Sequence, residues 1–287
     1  MCKDGGKTLR ESWSTAMPVT LFGILAIALY LTAGGLLARR LRRRSPEEKT
    51  PSKGHIITLA LVGSALHAVI LVQEILTREG LDLAILHAAS LVTWAMALLL
   101  MLAALVRPLE NLGVAILPIA AVGLALDLYF HSHQVVLEHH TLGLDLHIIF
   151  SILAYSLLSI AAAQAILLAI QENHLHHKRP GGFIRALPPL ETMEELLFQM
   201  IGLGFVMLTL ALIKGFAFLQ DIFAQHLVHK TVLSIAAWVV FAILLWGRRR
   251  FGWRGRVAIR WTLAGFLVLV LAYFGSKFVL ELILGRR

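Results

Sequence analysis

Thirteen histidines are the residues of this chain best able to do chemistry. Imidazole ligates metals, carries protons near neutral pH, and is costly to place in hydrocarbon without a partner. Several of these histidines stand at the edge of a long apolar run or inside one. His87 opens one run, His147 opens another, and His226 with His229 enters a third. His67 lies inside a run, about 13 Å from its nearer end at the helical rise per residue. Separate helices can therefore point imidazoles into one layer. Two neutral imidazole nitrogens can hold a haem iron, while the porphyrin needs apolar walls and its propionates need water or a cation. Lys230, directly after His229, is a candidate cation, and His226 shares a helical face with His229 at a spacing of three. The spacing equally allows these rings to sit at a membrane surface, hydrogen-bonded to water and lipid head groups.

Other groups are less specific. The segment HSHQVVLEHH carries His131, His133, Glu138, His139 and His140, ligand types that suit zinc or copper. Its spacing fits no metal motif and reads as a solvated loop. His174, His176 and His177 beside Lys178 read as a solvated basic turn. Asp127, Lys214, Lys277 and Glu281 fall inside apolar runs and could form an ion path, although the last three are also placed to snorkel toward head groups. Cys2 is the only cysteine, so there is no internal disulfide, no CxxCH haem attachment site and no cysteine metal cage. HExxH, GxSxG and phosphate-cradling loops are absent.

The elements that must position these side chains are membrane helices. The 287 residues are 58% hydrophobic and 15% charged, with mean hydropathy +0.79, too apolar for a soluble domain of this size. Apolar runs occupy Met17–Ala38, Ile56–Leu76, Leu83–Val106, Leu112–Phe130, Leu144–Ile170, Leu196–Leu219, Lys230–Trp246 and Val257–Leu284. Each approximates the roughly 20 residues that cross a bilayer as a helix. The expected fold is all-α, a polytopic bundle of eight transmembrane helices forming a single unit over residues 1–287. The excess positive charge lies in the loops after the first, third, fifth and seventh runs. That pattern reads as cytoplasmic loops with both termini on the non-cytoplasmic side, not as nucleic-acid binding. Pro188-Pro189 followed by Glu191, Glu194 and Glu195 reads as a helix start. Gly34, Gly35, Gly202 and Gly204 read as helix-contact positions. Trp246, Trp253 and Trp261 read as interfacial anchors, with Trp238 the expected exception.

The segment LHIIFSILAYSLLSIAAAQ (Leu146–Gln164) resembles the cytochrome c assembly membrane proteins, the family that includes CcsA, CcmC and the HemX-like proteins. The likeness continues through LPPLETMEELLFQMIGLGFVMLTLALIKG (Leu187–Gly215), HKTVLSIAAWVVFAILLWGRRRFGWRGRVA (His229–Ala258) and GFLVLVLAYFG (Gly265–Gly275). Residues 144–284 thus resemble the family core, and the eight-helix size points to its HemX-like subgroup in the bacterial inner membrane. The resemblance implies haem handling, with His147 matching a histidine that serves as a haem ligand at the outer entry of a helix. Two family features are missing. The outer loop, tryptophan-rich in the family, reads QDIFAQHLV here, and the end of the chain, FVLELILGRR, lacks the second outer histidine. The expectation is therefore a non-enzymatic haem-binding protein without haem-lyase activity. Its cofactor would be haem b, its iron ligands His147 and His229, and its next candidate ligands His67 and His87. Expected partners are the lipid bilayer, haem and another membrane protein, with no nucleic acid. The alternatives are an ion or small-solute transporter depending on His67, and a membrane scaffold.

Overall fold

The structure, a computed structural model, describes residues 5–42, 51–77, 80–82, 84–130, 135–137, 142–177, 186–218 and 225–275; for 5–18, 218, 225–229, 274–275 and the strands it describes only the backbone. The helices are α1 Gly5–Arg42, α2 Lys53–Ile75, α3 Ile85–Val106, α4 Gly113–Tyr129, α5 Leu142–His176, α6 Leu190–Phe218, α7 Gln225–Phe251 and α8 Gly255–Val270. Eight helices among the described residues are long and apolar enough to cross a membrane. A helix satisfies its own backbone hydrogen bonds, which hydrocarbon cannot do for it.

Several helices run past the apolar runs that announce them, because a helix does not stop where the bilayer does. α5 continues through Glu172 to His176, and its end is finished by imidazoles: His174 Nδ1 donates to the Ile170 carbonyl at 2.9 Å and His177 Nδ1 to that of Asn173 at 2.8 Å. This is the basic turn expected from the sequence, now with a capping role. α6 begins directly after Pro188-Pro189, with Glu191 in its first turn. α8 ends in a π-helical turn at Leu271–Gly275.

The helices pack as two groups, α1–α4 and α5–α8, joined chiefly where α3 lies against α5. Glycines set the closest approaches. A Cβ on Gly34 would meet Pro118 Cδ of α4 at 3.3 Å, and one on Gly204 would meet Leu158 of α5 at 2.8 Å. Gly35 and Gly202 face open space, which corrects their expected role in packing. Trp253 and Trp261 pack their rings against each other at 5.4 Å beside the core, whereas Trp246 is exposed. Trp238 is internal as expected, stacked on Phe205 and donating Nε1–H to Thr209 Oγ1 at 2.9 Å.

At one end of the bundle, here the basic end, ion pairs tie the helices together. Lys53 meets Glu110 at 3.1 Å, and Arg256 meets Glu172 at 3.2 Å. Glu194 of α6 accepts from Arg254 Nε at 2.9 Å and from the Gly255 amide at 2.8 Å. A carboxylate from one helix thus caps the start of another, and the hydrogen bond to Glu194 raises the Arg254 pKa above its ordinary value. Gly255, at φ +52°, occupies the left-handed region that makes this tight entry possible. The opposite end carries a small antiparallel sheet: β1 Leu76–Thr77, β2 Gly80–Asp82 and β3 Val135–Leu137, with Leu81 paired to both Leu76 and Leu137. Val135–Leu137 is the middle of HSHQVVLEHH, so that segment holds a strand where a plain loop was expected. The β-branched pair Val135-Val136 favours this state, but three residues carry too short a period to announce it. His131, His133, Glu138, His139 and His140 lie outside the described residues.

Candidate functional site

His147 sits in the second turn of α5 at the capped end, half-buried against α6. Its Nδ1 lies 2.8 Å from the carbonyl oxygen of Ala211. A carbonyl only accepts, so Nδ1 carries the hydrogen, and a neutral ring in that state holds its lone pair on Nε2. Metal-binding imidazoles are commonly prepared in this way, one nitrogen oriented by a carbonyl and the other left as the donor. The approach of α5 to α6 allowed by Gly204 brings the two groups together.

Around α7 and α8 the same end holds Lys230, Tyr155 and Tyr273. The Tyr155 hydroxyl donates to the Leu269 carbonyl at 2.6 Å, just before α8 widens into its π turn. The rings of Tyr155 and Tyr273 meet edge-on at 5.9 Å. Lys230 Nζ stands 5.9 Å from the centroid of Tyr273, over an aromatic face. His226 and His229 fall in the first turns of α7, and their side chains lie outside the described residues, as do Lys277 and Glu281.

His67 and His87 belong to a different place, the interior of α1–α4. His67 is completely buried, with Nε2 3.0 Å from Ser90 Oγ and Nδ1 3.4 Å from the Tyr30 hydroxyl. Both ring nitrogens are thereby engaged by hydroxyls. His87 Nδ1 lies 2.7 Å from Asp127 Oδ1, an off-axis carboxylate–imidazole contact in which both side chains are less than 5% exposed. Asp127 was legible as a charge inside an apolar run, but not as the partner of His87: they lie 40 residues apart on consecutive helices, α3 and α4. The structure brings His67 and His87 into one polar layer, one turn of α3 apart through Ser90, and sets His147 on the other helix group. Among the described residues there is no group of three or more His, Cys, Asp or Glu able to hold a metal ion.

A groove of about 460 Å³ opens at the basic end, lined by Leu168, Glu172, Leu190, Glu194, Arg254 and Val257 among others. Its carboxylates and guanidinium groups are committed to one another in the pairs described above.

Eight helices among the described residues that are long and apolar enough to cross a membrane define the class as a polytopic membrane protein. The profile of the family described as cytochrome C assembly protein matches residues 56–284, and the chain belongs to that family. It is 33% identical to the inner membrane protein YpjD of Escherichia coli K12 over 273 residues, which cover 93% of this chain and all of YpjD. A 28.8 kDa protein of Azospirillum brasilense is 36% identical over 66% of this chain and 72% of its own length. The cytochrome c biogenesis protein CcsA of Gloeobacter violaceus is 29% identical over 35% of this chain and 30% of its own. No solved structure matches the chain. It is a multi-pass protein of the bacterial inner membrane, as its sequence leads one to expect.

Proposed function

We propose that this protein binds and handles haem b at the capped end of the bundle, with His147 Nε2 as one iron ligand and His229 as the other. The observation that carries this reading is the bond from His147 Nδ1–H to the Ala211 carbonyl, which leaves Nε2 as the ligating atom. Bound haem would supply an iron that accepts imidazole nitrogens as ligands. Around it Lys230 offers a cation for a propionate, and the apolar faces of α5–α8 offer walls. By the positive-inside rule the basic end is cytoplasmic and the capped end, with both termini, faces outward. The relatives' names speak of cytochrome c assembly and biogenesis. The tryptophan-free QDIFAQHLV segment supports haem holding or sensing rather than catalysis of attachment to an apocytochrome, with a membrane-protein partner to receive or supply the haem. His67 and His87, committed to hydroxyls and to Asp127, are assigned to a separate duty.

The test is the visible spectrum of detergent-purified protein from haem-replete cells. A Soret band that is lost or shifted in His147→Ala and in His229→Ala is the expected outcome. Absence of any Soret band, even after hemin is added to the wild type, would remove the proposal.

A further inference from the structure

A buried carboxylate–imidazole pair in a membrane bundle calls for a reason. Two charges taken out of water cost several kcal/mol each, and apolar residues of similar shape would often serve stability as well or better. Ionisable groups kept inside a membrane are functional suspects for that reason. Here the pair does not stand alone. Asp127 and His87 sit within about a turn of the helix ends beneath the small sheet. One turn along α3, Ser90 contacts His67 at 3.0 Å, and His67 contacts Tyr30 at 3.4 Å. Each member can both give and take a proton in one of its states. Two links are not direct hydrogen bonds: the off-axis Asp127–His87 contact at 2.7 Å, and the step from His87 to Ser90, one helical turn that a single bridging water spans.

We infer that α1–α4 contain a proton-exchange path that runs from the capped face through Asp127, His87 and Ser90 to His67, and that is closed toward the basic end. The closure is visible in the packing: past His67 the four helices meet through Ala33, Leu37, Ile57, Ala60, Leu100 and Leu117, all buried. A proton entering from the capped face is taken up by the Asp127–His87 pair and passed to Ser90 Oγ, whose own hydrogen moves to His67 Nε2. The His67 ring becomes cationic, and one negative charge remains on Asp127. On release each hydrogen retraces its step. The titratable groups facing His67 are Tyr30 from α1, His87 from α3 and Asp127 from α4. The path is a one-sided well, not a channel. It distinguishes this protein from the transporter that a mid-membrane histidine first suggests, and it stands independently of the haem proposal.

The test uses the full chain with ¹⁵N-labelled histidine, reconstituted in vesicles in a single orientation and followed by solid-state NMR, with the His67 signal assigned by its loss in His67→Gln. Lowering the pH on the capped side is expected to convert the His67 nitrogens from neutral to cationic shifts, and lowering it on the basic side to leave them unchanged. Asp127→Asn and Ser90→Ala, each checked for wild-type helicity by circular dichroism, are expected to slow deuterium exchange at the His67 ring by at least about a hundredfold, the lower side of what a positioned proton carrier contributes. Three results would each overturn the inference: a His67 ring that answers to the basic side, one whose charge never changes, or exchange at the wild-type rate in both variants.

Discussion

The two helix groups use the same residue type in opposite ways. In α1–α4 the histidines are tied by side chains: His67 between two hydroxyls, His87 against a carboxylate. In α5–α8, His147 is tied by a backbone carbonyl through one nitrogen only. Side-chain partners can exchange protons with the ring, whereas a carbonyl can only hold a hydrogen in place. An imidazole framed by hydroxyls and carboxylate is suited to moving protons, and an imidazole held by a carbonyl is suited to presenting its other nitrogen. What a membrane histidine does is thus written in its partners more than in its depth.

The largest effect that can break this comparison is the removal of Asp127. Asp127→Ala leaves His87 buried with its carboxylate gone and should cost about 3–5 kcal/mol, read as a lower thermal unfolding midpoint in detergent. The double variant His87→Leu/Asp127→Leu should recover most of that loss, since it leaves neither polar group behind. A double variant as unstable as Asp127→Ala would show that the pair itself holds the fold. Next is the contact that positions His147. Gly204→Leu drives a side chain into Leu158 and should destabilise by about 1–3 kcal/mol, with haem retention falling in the same preparation; Gly202→Ala, facing open space, serves as the control and should stay within about 0.5 kcal/mol of wild type. His147→Gln should lower stability by only about 1 kcal/mol, the net worth of its hydrogen bond, while abolishing the Soret signal. His67→Gln should leave that signal in place. Equal loss of haem in both would erase the division of labour. The smallest effect is at the basic end, where Glu194→Ala removes the cap on α8 and should cost about 1 kcal/mol in unfolding experiments, without altering either histidine region.

Much of the architecture was legible because hydrocarbon imposes a simple demand. Each crossing needs a helix of a certain length with apolar sides, and length and hydropathy are properties of consecutive residues. The start of α6 at Pro188-Pro189 was legible for a similar reason, since proline and acidic residues act on the first turn locally. The three-stranded sheet was not, because its pairing of Leu81 with Leu76 and Leu137 is a long-range choice made by segments of two or three residues. The glycines divide along the same line. Gly34 and Gly202 look alike in sequence, and only the neighbour across the helix decides that one is a contact and the other a free surface.

The candidate site shows the limit most clearly. That His87 and His147 lie toward one end and His67 deeper follows from their positions in the runs, because helical rise converts sequence number into depth. Their rotation about each helix axis depends on which neighbour each helix meets, and that is settled by packing among all eight. Composition and order alone determined a membrane bundle of eight spans carrying imidazoles at set depths. Tertiary structure alone decided that Asp127 closes on His87, that Ser90 and Tyr30 enclose His67, and that Ala211 turns the His147 ring. A hydrogen bond requires two groups within about 3 Å in the right direction, and residues 40 or 64 apart in the chain reach that distance only when the bundle has closed.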